Sequence, residues 1–229
     1  CTSILVIKLK NQHRHMQLSL QQVIPVPLRE KVNAYQSGLW NTSKAFDQGT
    51  YLFIQAPSGT GKTTLVHILY GLRKDFEGDI KWGNLSLTSS DTEALAKLRT
   101  NNISVIFQDM RLFPELTAWE NLDIKRRLTN TVTEQQVMDW LTRLGMKDKK
   151  DSLASTLSYG EQQRIAIIRA LLQPFDWLLM DEPFSHLDHA NIQKAIALIG
   201  EVVQQHKAGI ILADLDENTF FPYTQTIVL

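Results

Sequence analysis

Apolar positions along this chain follow two rhythms. Five short runs are almost continuously apolar: YLFIQ (Tyr51 to Gln55), ISVIF (Ile103 to Phe107), WLLM (Trp177 to Met180), GIILA (Gly209 to Ala213) and TIVL (Thr226 to Leu229). Runs of that length suit strands covered on both faces, as in a buried parallel sheet. Alternation marks two other places, Met16, Leu18, Leu20 and then Ile80, Trp82 within DIKWGNLSL (Asp79 to Leu87), which read as antiparallel strands. Between them, Leu65, Ile68, Leu69, Leu72 and later Ile192, Ile196, Ile199, Val203 recur at spacings of three and four, the period of a helix. Strand and helix alternate, so the predicted class is α/β with a mostly parallel sheet.

From Thr117 to Leu172 the alternation stops and only helical signals remain, which predicts a helical lobe, about residues 115–172, inserted in the sheet domain. Its clearest helix has visible ends. Thr133 with Gln136 three residues on forms a capping box, Val137, Trp140, Leu141, Leu144 form an apolar stripe, and Gly145 stands where a left-handed cap is wanted. Trp140 is expected in the core, and Lys147 to Asp151 in a solvated turn. There is no internal repeat.

Composition narrows the function classes. In 229 residues, 24 basic and 24 acidic side chains cancel, so charge steers the chain to neither nucleic acid nor an anionic membrane. No apolar run approaches the ~18 residues that span a bilayer. The one cysteine, Cys1, forms no intrachain disulfide or multi-cysteine metal site. The opening CTSILVIKLKNQHRH lacks the features of a secretory signal, and a cytoplasmic location is expected. Residues 1–15 are read as an extension without functional weight, and 16–229 as one domain.

Two segments carry chemistry. After YLFIQ comes APSGTGKTT and then the apolar helix LVHILYG. A glycine-bearing loop between strand and helix is the setting of a phosphate loop. Backbone N–H groups of Ala56, Pro57 excepted, Ser58, Gly59, Thr60, Gly61, Lys62, Thr63 and Thr64 would converge on phosphate oxygens, with Lys62 on the terminal phosphates and Thr63 on magnesium. Ala56 replaces the first glycine of the strict pattern. The second segment, WLLMDEP, is an apolar strand ending in two carboxylates. Beyond the carboxyl end of such a strand, Asp181 would hold magnesium and Glu182 would orient or deprotonate an attacking water.

FQDMRLFPELTAWENL (Phe107 to Leu122) and TLSYGEQQRIAIIRALL (Thr156 to Leu172) decide which phosphate-loop protein this resembles. With the phosphate loop, the carboxylate strand and SHLD (Ser185 to Asp188), they make the chain similar to the ATP-binding cassette (ABC) family from about Met16 to Leu229, and within it to the subunits of lipoprotein-release, macrolide-export and cell-division systems. The family signature LSGGQ stands here as LSYGE, with Tyr159 and Glu161 in place of glycine and glutamine. The resemblance implies ATP and Mg2+ as cofactors and a head-to-tail homodimer formed on ATP binding. In it Ser158 and Gly160 of one copy, with the D-loop residue Asp188, meet the nucleotide on the other copy's loop. It further implies Gln108 on magnesium or the attacking water, an integral-membrane permease as partner, no nucleic acid, and a place on the cytoplasmic face of the membrane. Phe113, Leu116 and Trp119 are the candidate docking edge, with core packing as the alternative.

Two departures divide the functional reading. The family's histidine after the strand IILAD is absent: Leu215, or Asp214, stands there. The aromatic that stacks on adenine is also missing from QQVIPVPL, with Tyr35 or Trp40 poorly spaced to replace it. One expectation is a working ATPase that powers a transporter, slowed by the missing histidine. The other is a nucleotide-gated binding module with weak or no hydrolysis. DNA-repair and translation relatives are disfavoured, since no coiled-coil heptads or basic stripe occur.

Overall fold

The computed structural model describes residues 16–34, 37–57 and 59–229. The extension 1–15, Tyr35 and Ser58 lie outside the described residues. In chain order come β1 (Leu18–Pro25), α1 (Arg29–Ala34), β2 (Ser43–Phe46), β3 (Tyr51–Gln55), α2 (Lys62–Leu69), β4 (Phe76–Trp82), β5 (Leu85–Ser86) and α3 (Thr92–Asn101). Then follow β6 (Ile103–Ile106), α4 (Ala118–Thr129), α5 (Glu134–Arg143), α6 (Tyr159–Leu171), β7 (Trp177–Asp181), α7 (His189–His206), β8 (Gly209–Asp214) and β9 (Gln225–Val228).

The five apolar runs form one sheet in the order β6-β7-β8-β3-β9, and every pairing in it is parallel. The period of two assigns its faces. Phe53, Leu178, Met180, Ile210 and Leu212 pack into a core shared with α4 to α7, while Leu52, Ile54, Trp177, Leu179 and Ile211 pack into a second core with α2 and the antiparallel sheet. Covering both faces is what makes these strands continuously apolar.

The alternating segments form the second sheet, β2-β1-β4-β5, antiparallel throughout. Its Trp82 meets Trp177 of the parallel sheet with ring centroids 5.7 Å apart, and the two indoles donate to the carbonyls of Leu69 and Met16. Such a buried aromatic pair contributes about 1 kcal/mol beyond its area. Gly209 makes room for it, since a Cβ there would lie 2.6 Å from the Trp177 ring.

Between β6 and β7 the helices are α4, α5 and α6. The expected capping box at α5 is present: Thr133 Oγ1 accepts from Gln136 N at 3.2 Å and Gln136 Oε1 accepts from Thr133 N at 2.9 Å. Gly145 follows in the left-handed region at φ 67, and Val137, Trp140, Leu141 and Leu144 are buried as expected. The same reciprocal cap opens α4, through Thr117 and Glu120, and α6, through Ser158 and Glu161. Thr133→Ala removes one such cap, and a loss of about 1 kcal/mol is expected in urea unfolding with an unchanged slope. A loss below ~0.3 kcal/mol would show that α5 is held by its apolar face alone.

Candidate functional site

Parallel strands end on one edge of the sheet, and register decides what meets there. Gln55 pairs with Asp214, Asp181 with Ala213 and Ile106 with Met180. The ends of β3, β8, β7 and β6 therefore bring together the loop after Gln55, Asp214, the pair Asp181 and Glu182, and the segment leading to Gln108.

The loop itself is shaped by two left-handed glycines, Gly59 at φ 79 and Gly61 at φ 108. At Gly61 it is φ that calls for glycine; a Cβ would also lie 2.5 Å from Leu28 Cδ1, a side-chain tip that would have to move aside. Ala56 is fully buried and donates its N–H to Asp214 O, which explains why a small residue without left-handed freedom suffices there. Below the loop, Trp40 is 3% exposed and its indole N–H reaches Thr60 O at 3.3 Å. Trp40 thus props the loop and presents no face for stacking. Tyr35, the other aromatic considered, lies outside the described residues.

Lys62, the first residue of α2, is buried; its Nζ donates to Ala56 O at 2.9 Å and lies 3.2 Å from Glu182 Oε1. Gln108 Nε2 donates to the other carboxylate oxygen, Glu182 Oε2, at 2.9 Å. Glu182 therefore joins loop, strand end and Gln108 in one chain of contacts. It does so from a left-handed backbone, φ 45, a conformation that costs a non-glycine residue about 1 kcal/mol or more. Strain of this kind persists where surrounding contacts over-determine it. Here Glu182 N–H donates to Ala213 O, and its carbonyl accepts from Gln163 Nε2 at 3.3 Å.

Asp181 contrasts with its neighbour. It is 1% exposed and neither carboxylate oxygen accepts a hydrogen bond of ordinary geometry. Burial pushes its pKa from the ordinary 3.8 up to about 6; the nearby Thr63 hydroxyl and Lys62 oppose the rise, and Glu182 adds to it. Burial also raises Asp214, whose Oδ1 accepts from Leu215 N–H. Leu215 itself is exposed and offers no hydrogen-bonding side chain at the end of β8.

Gly59, Gly61, Lys62, Thr63, Thr64, Gln108 and Glu182 line one cleft of about 360 Å³, together with Leu28. Pro57 and Thr60 complete the loop beside it, and Ser58 lies outside the described residues. Leu28 escaped the sequence reading, as did Lys31, whose Nζ donates to Gly59 O at 3.2 Å. Both sit more than twenty residues before the loop, and no spacing rule ties them to it.

Ser158, Gly160 and Asp188 are not among the residues lining that cleft. Ser158 caps α6 and Asp188 caps α7, accepting from Asn191 N at 2.8 Å. Gly160 allows the two to approach, since a Cβ there would lie 2.7 Å from His186 O. Tyr159 stacks on His186 with centroids 5.3 Å apart, and the buried Gln163 accepts from His186 N. The signature and the SHLD segment thus meet in one surface, whose Ser158, Gly160 and Asp188 lie outside the lining of that cleft.

Similarity to known proteins agrees with this geometry. The family model described as ABC transporter matches residues 39–185. ABC transporter H family member 2 of Dictyostelium discoideum is 32% identical over 216 residues, which cover 92% of this chain and 40% of that protein. The lipoprotein-releasing system ATP-binding protein LolD of Legionella pneumophila is 31% identical, covering 81% of this chain and 83% of LolD. The cytochrome c biogenesis ATP-binding export protein CcmA of Haemophilus influenzae is 33% identical, covering 73% and 76%. Among solved structures, the dimeric bacterial ABC transporter cassette MJ0796 superposes with a TM-score of 0.73 at 25% identity, over 87% of this chain and 88% of that one. The same cassette is also known in a post-hydrolysis state bound to ADP and Pi. Fold, motif order and these relatives lead to one statement: the chain belongs to the ABC transporter family, as an ATP-binding cassette.

Proposed function

We propose that this chain binds and hydrolyses ATP to drive a membrane transporter, and that two copies close head to tail on the nucleotide. The observation that carries this reading is the contact chain Lys62–Glu182–Gln108 beside the phosphate loop. Both Glu182 oxygens are engaged here. A triphosphate draws Lys62 onto its own oxygens and leaves Oε1 to accept a proton from water. That water attacks the γ-phosphorus, the bond to the bridging oxygen breaks, and ADP and inorganic phosphate result. Loop amides of Ser58, Gly59 and Gly61 to Thr64, with the N-terminal end of α2, hold the phosphates, whereas the Ala56 and Thr60 N–H groups are spent on Asp214 O and Pro57 O and Pro57 has none, so Ala56, Pro57 and Thr60 shape the loop.

Magnesium fits the residues present. Two buried carboxylate oxygens of Asp181 without partners are an acceptor set that a hard cation satisfies, with Thr63 and Gln108 as the neighbouring oxygen donors. Bound there, the ion would supply charge neutralisation for the phosphates.

Ser158, Gly160 and Asp188 do not line their own chain's cleft, which supports the reading that they meet a nucleotide presented by a second copy. For the permease, the docking edge shifts from the sequence expectation. Phe113 is 54% exposed, but Trp119 is partly buried against the core and Leu116 is half-buried. Phe113 instead rims a groove of about 260 Å³ with Ile124 and Leu128, above Lys125 and Arg169. Apolar rim and cationic floor suit an amphipathic segment of a membrane subunit. The helical region, about 115–172, is the part that carries this contact, and the cassette works on the cytoplasmic face of the membrane. No described helix is long and apolar enough to cross one.

A second reading, a nucleotide-gated module of weak turnover, is favoured by one observation: Leu215 places no donor at the end of β8.

Glu182→Gln is expected to lower steady-state phosphate release at least 100-fold while ATP-dependent dimerisation persists in light scattering. Equal rates in the two proteins would establish the gated module instead. Leu215→His is expected to raise turnover roughly tenfold by adding a charge-assisted hydrogen bond, and an unchanged rate would show that Leu215 does not stand at the phosphate. Asp181 gives a test without nucleotide. Between pH ~4 and ~6 the folded chain keeps a proton that the unfolded chain has lost, so stability falls as pH rises through that window. Asp181→Asn is therefore expected to stabilise the apo protein at pH 8 by about 2 kcal/mol, with the gain vanishing near pH 4. The variant should also lose thermal stabilisation by magnesium with ATP.

A further inference from the structure

Two residues after Gln108 the backbone turns through consecutive left-handed residues that are not glycine, Met110 at φ 55 and Arg111 at φ 52. Neither lies in a helix or strand, so their carbonyls need partners from elsewhere. One side chain supplies both: Arg169, near the end of α6, donates from Nη2 to Met110 O at 2.5 Å and from Nη1 to Arg111 O at 2.7 Å. Among the described residues Arg169 has no carboxylate within 4 Å. A half-buried guanidinium spent on two main-chain oxygens has its charge committed to the shape of that turn. Its planar fork fits two adjacent acceptors in a way that the point charge of lysine does not.

The turn is pinned on its other side as well. The Arg111 guanidinium lies 3.9 Å from the Phe107 ring centroid, and its Nη2 meets His67 Nε2 of α2 at 3.1 Å. Met110 is buried beneath. Gln108 thus leaves β6 on a short stretch held between α2 and α6, with its amide on Glu182.

We propose that Arg169 is a positioning residue for Gln108: by clamping the Met110 and Arg111 carbonyls it holds the turn that places the Gln108 amide on the Glu182 carboxylate. This rests on the ATPase reading of the same site. The clamp also gives that site a point of regulation, because Arg169 lines the groove rimmed by Phe113, Ile124 and Leu128. An occupant of that groove reaches Arg169 before it reaches anything in the nucleotide cleft. Displacing the guanidinium leaves two left-handed residues held from one side only, and the Gln108 hydrogen bond weakens steeply with any misalignment.

The test compares Arg169→Met and Arg169→Lys with the unaltered protein. Amide hydrogen exchange across 108–113 reads the clamp with or without turnover. It is expected to rise at least tenfold in Arg169→Met and less in Arg169→Lys, with the phosphate loop unchanged. Unchanged exchange in that segment overturns the proposal. For turnover, Arg169→Met is expected to lower kcat about tenfold with ATP affinity within twofold, Arg169→Lys to recover part of the loss, and Arg169→Met to cost nothing further in a Gln108→Ala background. Full additivity of the two losses, or a kcat equal to that of the unaltered protein, overturns the positioning role. If Arg169→Met does not fold, Arg169→Lys carries the same comparisons. A chain without Glu182-dependent hydrolysis would overturn the ATPase reading, and the exchange measurement would then decide the clamp alone.

Discussion

The rest of the site depends on one constraint: a charged glutamate placed at the end of a strand that is buried at every position. β7 runs Trp177 to Asp181 without an exposed residue, and Glu182 follows in a left-handed turn. Water alone does not solvate that carboxylate, so protein groups must. Lys62 and Gln108 do, one from the phosphate loop and one from the end of β6. Three segments far apart in sequence are thereby fixed to one another by the needs of a single side chain. An ion pair of this kind is costly to half-break, because the remaining charge stays buried. Lys62 and Gln108 are thus bound to the position of Glu182, and moving either leaves part of that carboxylate without its partner.

Asp181 completes the logic by being left without partners. A carboxylate that is 1% exposed and accepts no hydrogen bond of ordinary geometry is costly to ionise, and burial pushes its pKa up to about 6 against the opposing Thr63 hydroxyl and Lys62. A cation with phosphate oxygens removes that cost. Strain at Glu182 and dissatisfaction at Asp181 are adjacent in sequence; the first is held by the hydrogen bonds to Ala213 O and from Gln163 Nε2, and the second has no such compensation within the chain.

The sequence made the sheet legible because burial on two faces erases alternation, and that erasure is itself a pattern. Each of the five runs became a parallel strand, and the loop after Tyr51 to Gln55 sits where strand and helix required it. Short-range chemistry was also visible, as at Thr133 and Gln136, since capping operates over three residues. What escaped has little local signal. β2 is exposed at three of its four positions, and α3 buries only Leu95 and Leu98. Leu28, Lys31, Gln163 and Arg169 act on partners 19 to 59 residues away, as the separations of Gln163 from Glu182 and of Arg169 from Met110 illustrate. No periodicity encodes a contact that only the assembled fold creates.

Ser158 poses an apparent conflict, because a hydroxyl committed to capping α6 is also expected to meet a nucleotide held by a second copy. The geometry resolves it. As a cap, Ser158 Oγ accepts from Glu161 N–H at 3.3 Å, while the Glu161 carboxylate accepts the Ser158 N–H at 2.8 Å. A serine hydroxyl has a donor of its own beyond its two acceptor lone pairs; here that O–H faces the Glu161 carboxylate, so a phosphate oxygen would compete with Glu161 for it while the backbone half of the cap remains intact. The substitution of glutamate for the usual glutamine strengthens the cap, as the Ser158 N–H holds the Glu161 carboxyl below its ordinary pKa. It also puts a negative charge one turn from the place an anion would approach, and Lys149 Nζ, 3.6 Å from Glu161 Oε1, partly offsets it. A firmly capped α6 then behaves as a rigid rod from Ser158 to Arg169, about 16 Å at 1.5 Å per residue. One helix thus joins the cap at Ser158 to the Met110 and Arg111 carbonyls that follow Gln108.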